Sequence, residues 1–447
     1  MSPGRIALPG LLSLLLCSAC GGGDDGGGEP PGESDDGGSQ GDDGGASEDD
    51  GASDDGGSVE GGCEGAEVGE VSPAAGAVDG ASSMAITDGG AVFVAFAGPA
   101  GEEGSAVSLT RLGADGWTEP EVVPADPERD HRSPMLAAHG ETLHLVWSMS
   151  RAEGGGDIVY ASRTGDGEWT EPLDLTGEEN QDGRRSTSVR GLAVDSAGKL
   201  AIAYGTQAGQ DGIELIRLIM VSEGAAETVP LEVPGDERGC DHATVTFDSA
   251  DNLHVVASCY PDEDPVTAFL SYGVGDGVGW LAQAKLSEGL FSLNVAPSLA
   301  RLADGHVGLV WESRRACQQG ECGHVMYAVD AAVGFPLRSD LSAESPSDPG
   351  DGVPSVVVDG SARVRVAFHR AAAAAPAEVL VVHSGEVTEP AQPPAFSEPC
   401  RLPTDAGEDA LSPRAALDPA TGDLHVLLRV GAGEEGRLTH ARVPAWP

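Results

Sequence analysis

Of the 25 basic residues in this chain, 23 are arginines, and only Lys199 and Lys285 are not. A guanidinium grips a carboxylate through two parallel N–H donors, a geometry lysine lacks. Arg132, Arg151, Arg184, Arg185, Arg314, Arg315 and Arg370, with Arg238 and Arg429 beside them, are therefore the candidates for holding an acidic ligand. Acids in the same segments, among them Glu128, Asp130, Asp241 and Glu312, offer those arginines partners without any ligand. Acid–base candidates are fewer. Tyr160, Tyr204, Tyr272 and Tyr327 recur at one repeat position each and read as packing, which leaves Tyr260 beside Asp262 and Glu263. His144, His254 and His425 share one place in a repeat and also read as packing, while His131, His242 and His369 stand near loops without metal spacing. A P-loop, a nucleophile elbow and HExxH are all lacking, so no cofactor, metal or catalytic residue is assigned.

Six cysteines follow Cys20, and an even number in an exported chain points to disulfides. Cys240 and Cys259 stand at one end of a predicted hairpin, Cys317 and Cys322 share a short loop, and elimination leaves Cys63 with Cys400. No CxxC spacing occurs among the six, which argues against zinc.

The elements that position these groups are read from a recurring pentapeptide. VFVAF ends at Phe96, LHLVW at Trp147, LAIAY at Tyr204, LHVVA at Ala257, VGLVW at Trp311, VRVAF at Phe368 and LHVLL at Leu428. Spacings of 51 to 60 residues with an apolar strand at each step indicate a radial or stacked repeat. Around each pentapeptide lie a Ser-Pro-like first strand, a third strand such as Asp157–Arg163, an Asp-Gly turn and a fourth strand opening near Trp169-Thr170-Glu171-Pro172. Four strands per repeat make a propeller blade, and both faces of the pentapeptides are apolar, as sheets packed between two neighbours require. The seventh repeat stops after its third strand, whereas Ala66–Val71 (AEVGEV) has no other assignment. Placed as the missing strand, it closes a seven-bladed, all-β ring of four-stranded antiparallel blades and removes the open edge.

Residues 1–20 carry Arg5, an apolar run to Leu16 and small residues before Cys20, the pattern of an export signal. The ending Cys17-Ser18-Ala19-Cys20 resembles the lipobox of bacterial lipoproteins, which implies lipidation of Cys20; Cys17 departs from the usual Leu. Gly21, where Asp would favour inner-membrane retention, implies outer-membrane sorting. Residues 21–62 hold fourteen Asp and Glu and no basic residue, and read as a disordered tether. Such a coil spans roughly 35 to 40 Å before charge repulsion lengthens it. The formal net charge of −48 excludes nucleic acid and anionic lipid headgroups as partners, so the lipid is the expected membrane contact.

Residues 63–447 resemble the BNR, or sialidase-like, propellers. The family's Asp-box lies on the turn between third and fourth strands, where this chain has Asp115-Gly116-Trp117, Asp166-Gly167-Glu168-Trp169 and Asp276-Gly277-Val278-Gly279-Trp280, in the right place with altered spacing. The resemblance implies an arginine clamp for a carboxylate and a Tyr–Glu pair if the chain were a glycoside hydrolase. The expected role is binding or scaffolding by a monomer in the cell envelope, with an acidic glycan or a protein as partner; a divergent hydrolase is the alternative.

Overall fold

The computed structural model describes residues 61–71, 82–99, 104–151, 156–177, 185–208, 213–222, 225–229, 237–261, 267–276, 280–286, 292–302, 305–317, 320–330, 335, 337–342, 350–371, 376–387, 394–404, 408–431 and 436–446. Cys20, the export signal and nearly all of the tether lie outside this set, as does Arg184. So do the side chains of Arg185, Arg238, Arg315, Cys317 and Cys322.

The described residues form a seven-bladed propeller of antiparallel sheets. In blade 2 the strands are His131–His139, Thr142–Ser150, Gly156–Thr164 and Leu173–Asp174. Blade 5 runs Ser292–Arg301, Val307–Cys317, Gly320–Val329 and Leu337–Asp340. The last blade has only three consecutive strands, Ala410–Leu417, Leu424–Val430 and Arg437–Val443. Its fourth is Glu67–Glu70, antiparallel to Arg437–Val443 with Val68 opposite Ala441. The expected closure is thus observed. The fourth strand of blade 2 starts at Leu173, four residues beyond Trp169. The preceding Thr170 hydroxyl is instead spent on the third strand, accepting the Ser162 N–H at 3.0 Å.

The pentapeptides explain why the chain folds this way. Their first, third and fifth residues face the preceding blade and their second and fourth the following one. Leu143, Leu145 and Trp147 pack against blade 1, while Val146 packs against blade 3. Leu253, Val255 and Ala257 face blade 3, and Val256 faces blade 5. The period of two characteristic of a strand thereby feeds two cores at once. Seven clusters of buried residues result, one per blade interface, the last joining Val71, Leu427 and Leu438 of blade 7 to Met84 and Val94 of blade 1. A Cβ on Gly191 would lie 3.2 Å from the Val245 backbone nitrogen, so any larger residue there would push blades 3 and 4 apart by a few tenths of an ångström.

Two disulfides are formed as expected. Cys240 and Cys259 are directly opposed in blade 4, their Cα atoms 4.0 Å apart. Cys63 joins Cys400, tying the closing segment to the outer strand of blade 6 before it pairs with blade 7. Two structural disulfides fit an exported protein in an oxidising compartment. Cys317 and Cys322 stand on opposite strands of one hairpin, opposite Gly320 and Arg315 respectively.

Candidate functional site

The first strands of the seven blades surround a central channel of about 470 Å³. In most of them the pairing is interrupted by a β-bulge at the Ser-Pro-like dipeptide. Arg132 opposes Ser148 and Met135 opposes Val146, so Ser133 and Pro134 together face Trp147. The same two-against-one arrangement sets Ala296-Pro297 against Trp311, Val353-Pro354 against Phe368 and Ser412-Pro413 against Leu428. Ser133, His242, Ala296, Val353 and Ser412 all have φ between 38° and 52°. Left-handed backbone at a β-branched valine is strained, and its recurrence at one ring level marks a built feature of the channel mouth.

Directly after the bulge comes one residue per blade at a common level. Three are serines that bridge to the next blade. Ser83 Oγ accepts the Leu136 N–H at 3.0 Å, Ser298 Oγ the Val356 N–H at 3.3 Å and Ser355 Oγ the Ala415 N–H at 2.9 Å. Blade 7 places Arg414 at this level, opposite Leu427. Its side chain is open to the lumen but surrounded by protein, and this desolvation lowers the guanidinium pKa. No carboxylate or other acceptor partners Arg414 among the described residues. The other ionisable groups lining the channel are Arg190 and His242, so no acid lines it among the described residues.

Of the arginines expected to form a binding face, Arg132, Arg151 and Arg314 hold the chain's own carboxylates. Asp157, buried at the start of a third strand, accepts Arg129 Nη2 at 2.8 Å and Arg151 Nε at 2.8 Å. Arg132 reaches Asp130 at 3.5 Å, an exposed pair of little energetic value. Arg314 pairs with Glu312, a buried carboxylate that also accepts the Val353 N–H at 3.2 Å. Arg370 is itself buried. These side chains are carried by blades 2, 5 and 6. Tyr260 donates to Asp241 at 3.0 Å, and this carboxylate also meets His242 Nδ1 at 2.7 Å.

The repeat histidines occupy interblade positions. His144 Nδ1 meets the Tyr160 hydroxyl at 3.0 Å, His254 Nδ1 that of Tyr272 at 2.8 Å, and His425 Nδ1 meets His440 Nε2 at 2.8 Å. Burial lowers the pKa of His144 to about 4 and of His440 to about 3, and lowers that of His425. His131, expected near a loop, is buried. Trp147 Nε1 can only donate, so His131 Nδ1 accepts it at 2.9 Å, and the proton on Nε2 goes to the Asp126 carbonyl at 2.7 Å. No group of three or more metal-ligating side chains occurs among the described residues.

The turns between first and second strands show a signal the sequence reading passed over. Asp195, Asp248, Asp359 and Asp418 each accept backbone N–H groups two to four residues ahead. An Asp five or six residues before the pentapeptide is visible in the sequence at these four repeats. Arg414 had a signal too: in Ser-Pro-Met135, Ala-Pro-Ser298, Val-Pro-Ser355 and Ser-Pro-Arg414 it is the one charged residue after proline.

No family model matches the sequence, and no curated protein matches it. Solved structures similar to it include an ulvan lyase of polysaccharide lyase family 25 bound to -[GlcA(1-4)Rha3S]-, at TM-score 0.57 and 11% identity over 83% of this chain and 94% of that one. A protein of unknown function from Dyadobacter fermentans has TM-score 0.46 and 15% identity over 72% and 98%. The sialidase of Trypanosoma rangeli has TM-score 0.48 and 10% identity over 85% and 59%. At such identities the likeness is one of fold alone, a β-propeller.

Proposed function

We propose that the chain is an outer-membrane lipoprotein of the bacterial envelope, anchored through lipid on Cys20 and holding its propeller on the acidic tether of residues 21–62. The propeller binds an acidic ligand or scaffolds a partner bearing one. One observation carries the binding reading: in a chain of net charge −48, the ionisable side chains lining the central channel are basic. A cavity of one sign inside a body of the other selects its ligand by charge.

The anchor is tested by expressing the full chain with Cys20→Ala and following membrane fractionation and fatty-acid labelling. The parent is expected in the membrane fraction and labelled, the variant in neither state; equal labelling of both would refute the anchor. Binding is tested on an array of acidic and neutral glycans, with capture expected on acidic ones only. Chromatography of the same glycans after incubation with the protein checks the alternative, since shortened products would favour a hydrolase or lyase.

A further inference from the structure

Arg414 raises a question that the rest of the fold does not answer. Most other described arginines of the propeller meet a carboxylate or carbonyl: Arg163 meets Glu121 at 2.8 Å, Arg437 meets Glu408 at 2.6 Å and Arg442 meets Asp423 at 2.6 Å. Arg365, with its side chain 2% exposed, is held by Asp359 and the Gly422 carbonyl. Arg414 lines the channel at a level where three other blades present serine. Serine at this level would stitch blade 7 to its neighbour as it does elsewhere, whereas this guanidinium has no carboxylate partner among the described residues.

We propose that the central channel is a binding site for an acidic sugar unit, with Arg414 as the fixed cation that receives its carboxylate or sulfate. This deepens the binding reading above and rests on it for the class of ligand. The volume of about 470 Å³ exceeds what a lone oxyanion fills. Around the mouth lie the hydroxyl-bearing Ser82, Ser133 and Ser412, and Pro134, Pro297 and Pro354 bring apolar faces to the same wall. Hydroxyls with apolar faces beside one cation suit a ring that carries both hydroxyl edges and C–H faces. A guanidinium takes either oxyanion through paired N–H donors. The bulges serve this site: the extra residue in the bulged first strands shifts their alternation, bringing the residue after proline to the lumen.

The test is calorimetric titration of the purified full-length chain with glucuronate, glucose and inorganic sulfate. Glucuronate is expected to bind and glucose not. Arg414→Gln is expected to weaken glucuronate at least tenfold, and Arg414→Lys, which keeps the charge and loses the fork, to weaken it less. Arg111→Gln, which breaks an exposed pair with Asp166 on an outer strand, is expected to change nothing. Failure of the parent to bind glucuronate or sulfate, or equal binding by Arg414→Gln, would overturn the site. Sulfate bound as tightly as glucuronate, and lost with Arg414, would uphold the anion site and overturn its sugar specificity. Thermal unfolding without ligand separates binding from structure: Arg414→Gln is expected to leave Tm unchanged, whereas a lowered Tm with binding intact would make Arg414 a structural residue. Should glucuronate bind in solution while Cys20→Ala leaves fractionation unchanged, only the anchor reading falls.

Discussion

At the scale of residues, burial decides protonation. His144, His425 and His440 are held neutral between blades because a charged imidazole there would lose its hydration. Their native pKa values lie below 6.5, so under acid the unfolded chain binds protons that the native chain does not. Stability is therefore unaffected by these groups above about pH 6.5 and is lost as pH falls from there toward 4 and 3, by on the order of 3 kcal/mol for His144 and 5 for His440. Asp248 and Asp423, whose pKa values are lowered below the usual 3.8 mainly by side-chain hydrogen bonds that outweigh desolvation, add to the loss at still lower pH. Urea titrations from pH 7.5 to 4 are expected to show a falling midpoint, and the slope to flatten in His440→Leu. The same residues mark how far a sequence is legible. The place of His144, His254 and His425 in the pentapeptide identified them as packing residues, but their partners Tyr160, Tyr272 and His440 came from third strands whose register no local pattern sets.

At the scale of elements, closure depends on a strand that lies far from its sheet in sequence. Cys63 and Cys400 are separated by 337 residues, Cys240 and Cys259 by 19. Cross-linking a long loop removes more freedom from the unfolded chain, by about 4 kcal/mol or more against about 3 for a short one. Replacing Cys63 and Cys400 by Ser is therefore expected to lower the unfolding temperature more than replacing Cys240 and Cys259. The first replacement is also expected to raise amide exchange in Arg437–Val443, which Glu67–Glu70 covers. Exchange unchanged there would mean that the strand pairing holds without its bolt.

At the scale of the whole molecule, seven small cores stand in place of one, each shared by neighbouring blades only. Charge acts on the whole ring: of the chain's net −48, the tether accounts for −14 and Arg5 for +1, and the −35 left on residues 63–447 pushes the compact state apart, while salt screens it. Raising sodium chloride from 10 to 150 mM is expected to increase Tm by a few degrees; a decrease would mean that pairs such as Arg437–Glu408 outweigh the repulsion. The sequence by itself determined the number of blades, the two-faced packing of the second strands, the closing strand and two disulfides, because alternation and turn chemistry are local and a missing strand is a matter of counting. Only the tertiary structure decided which arginines hold the chain's own acids and which line the channel. An extra residue in a bulge changes the face of all that follows it, and a lumen assembled from positions 50 to 60 residues apart exists only once the ring is closed.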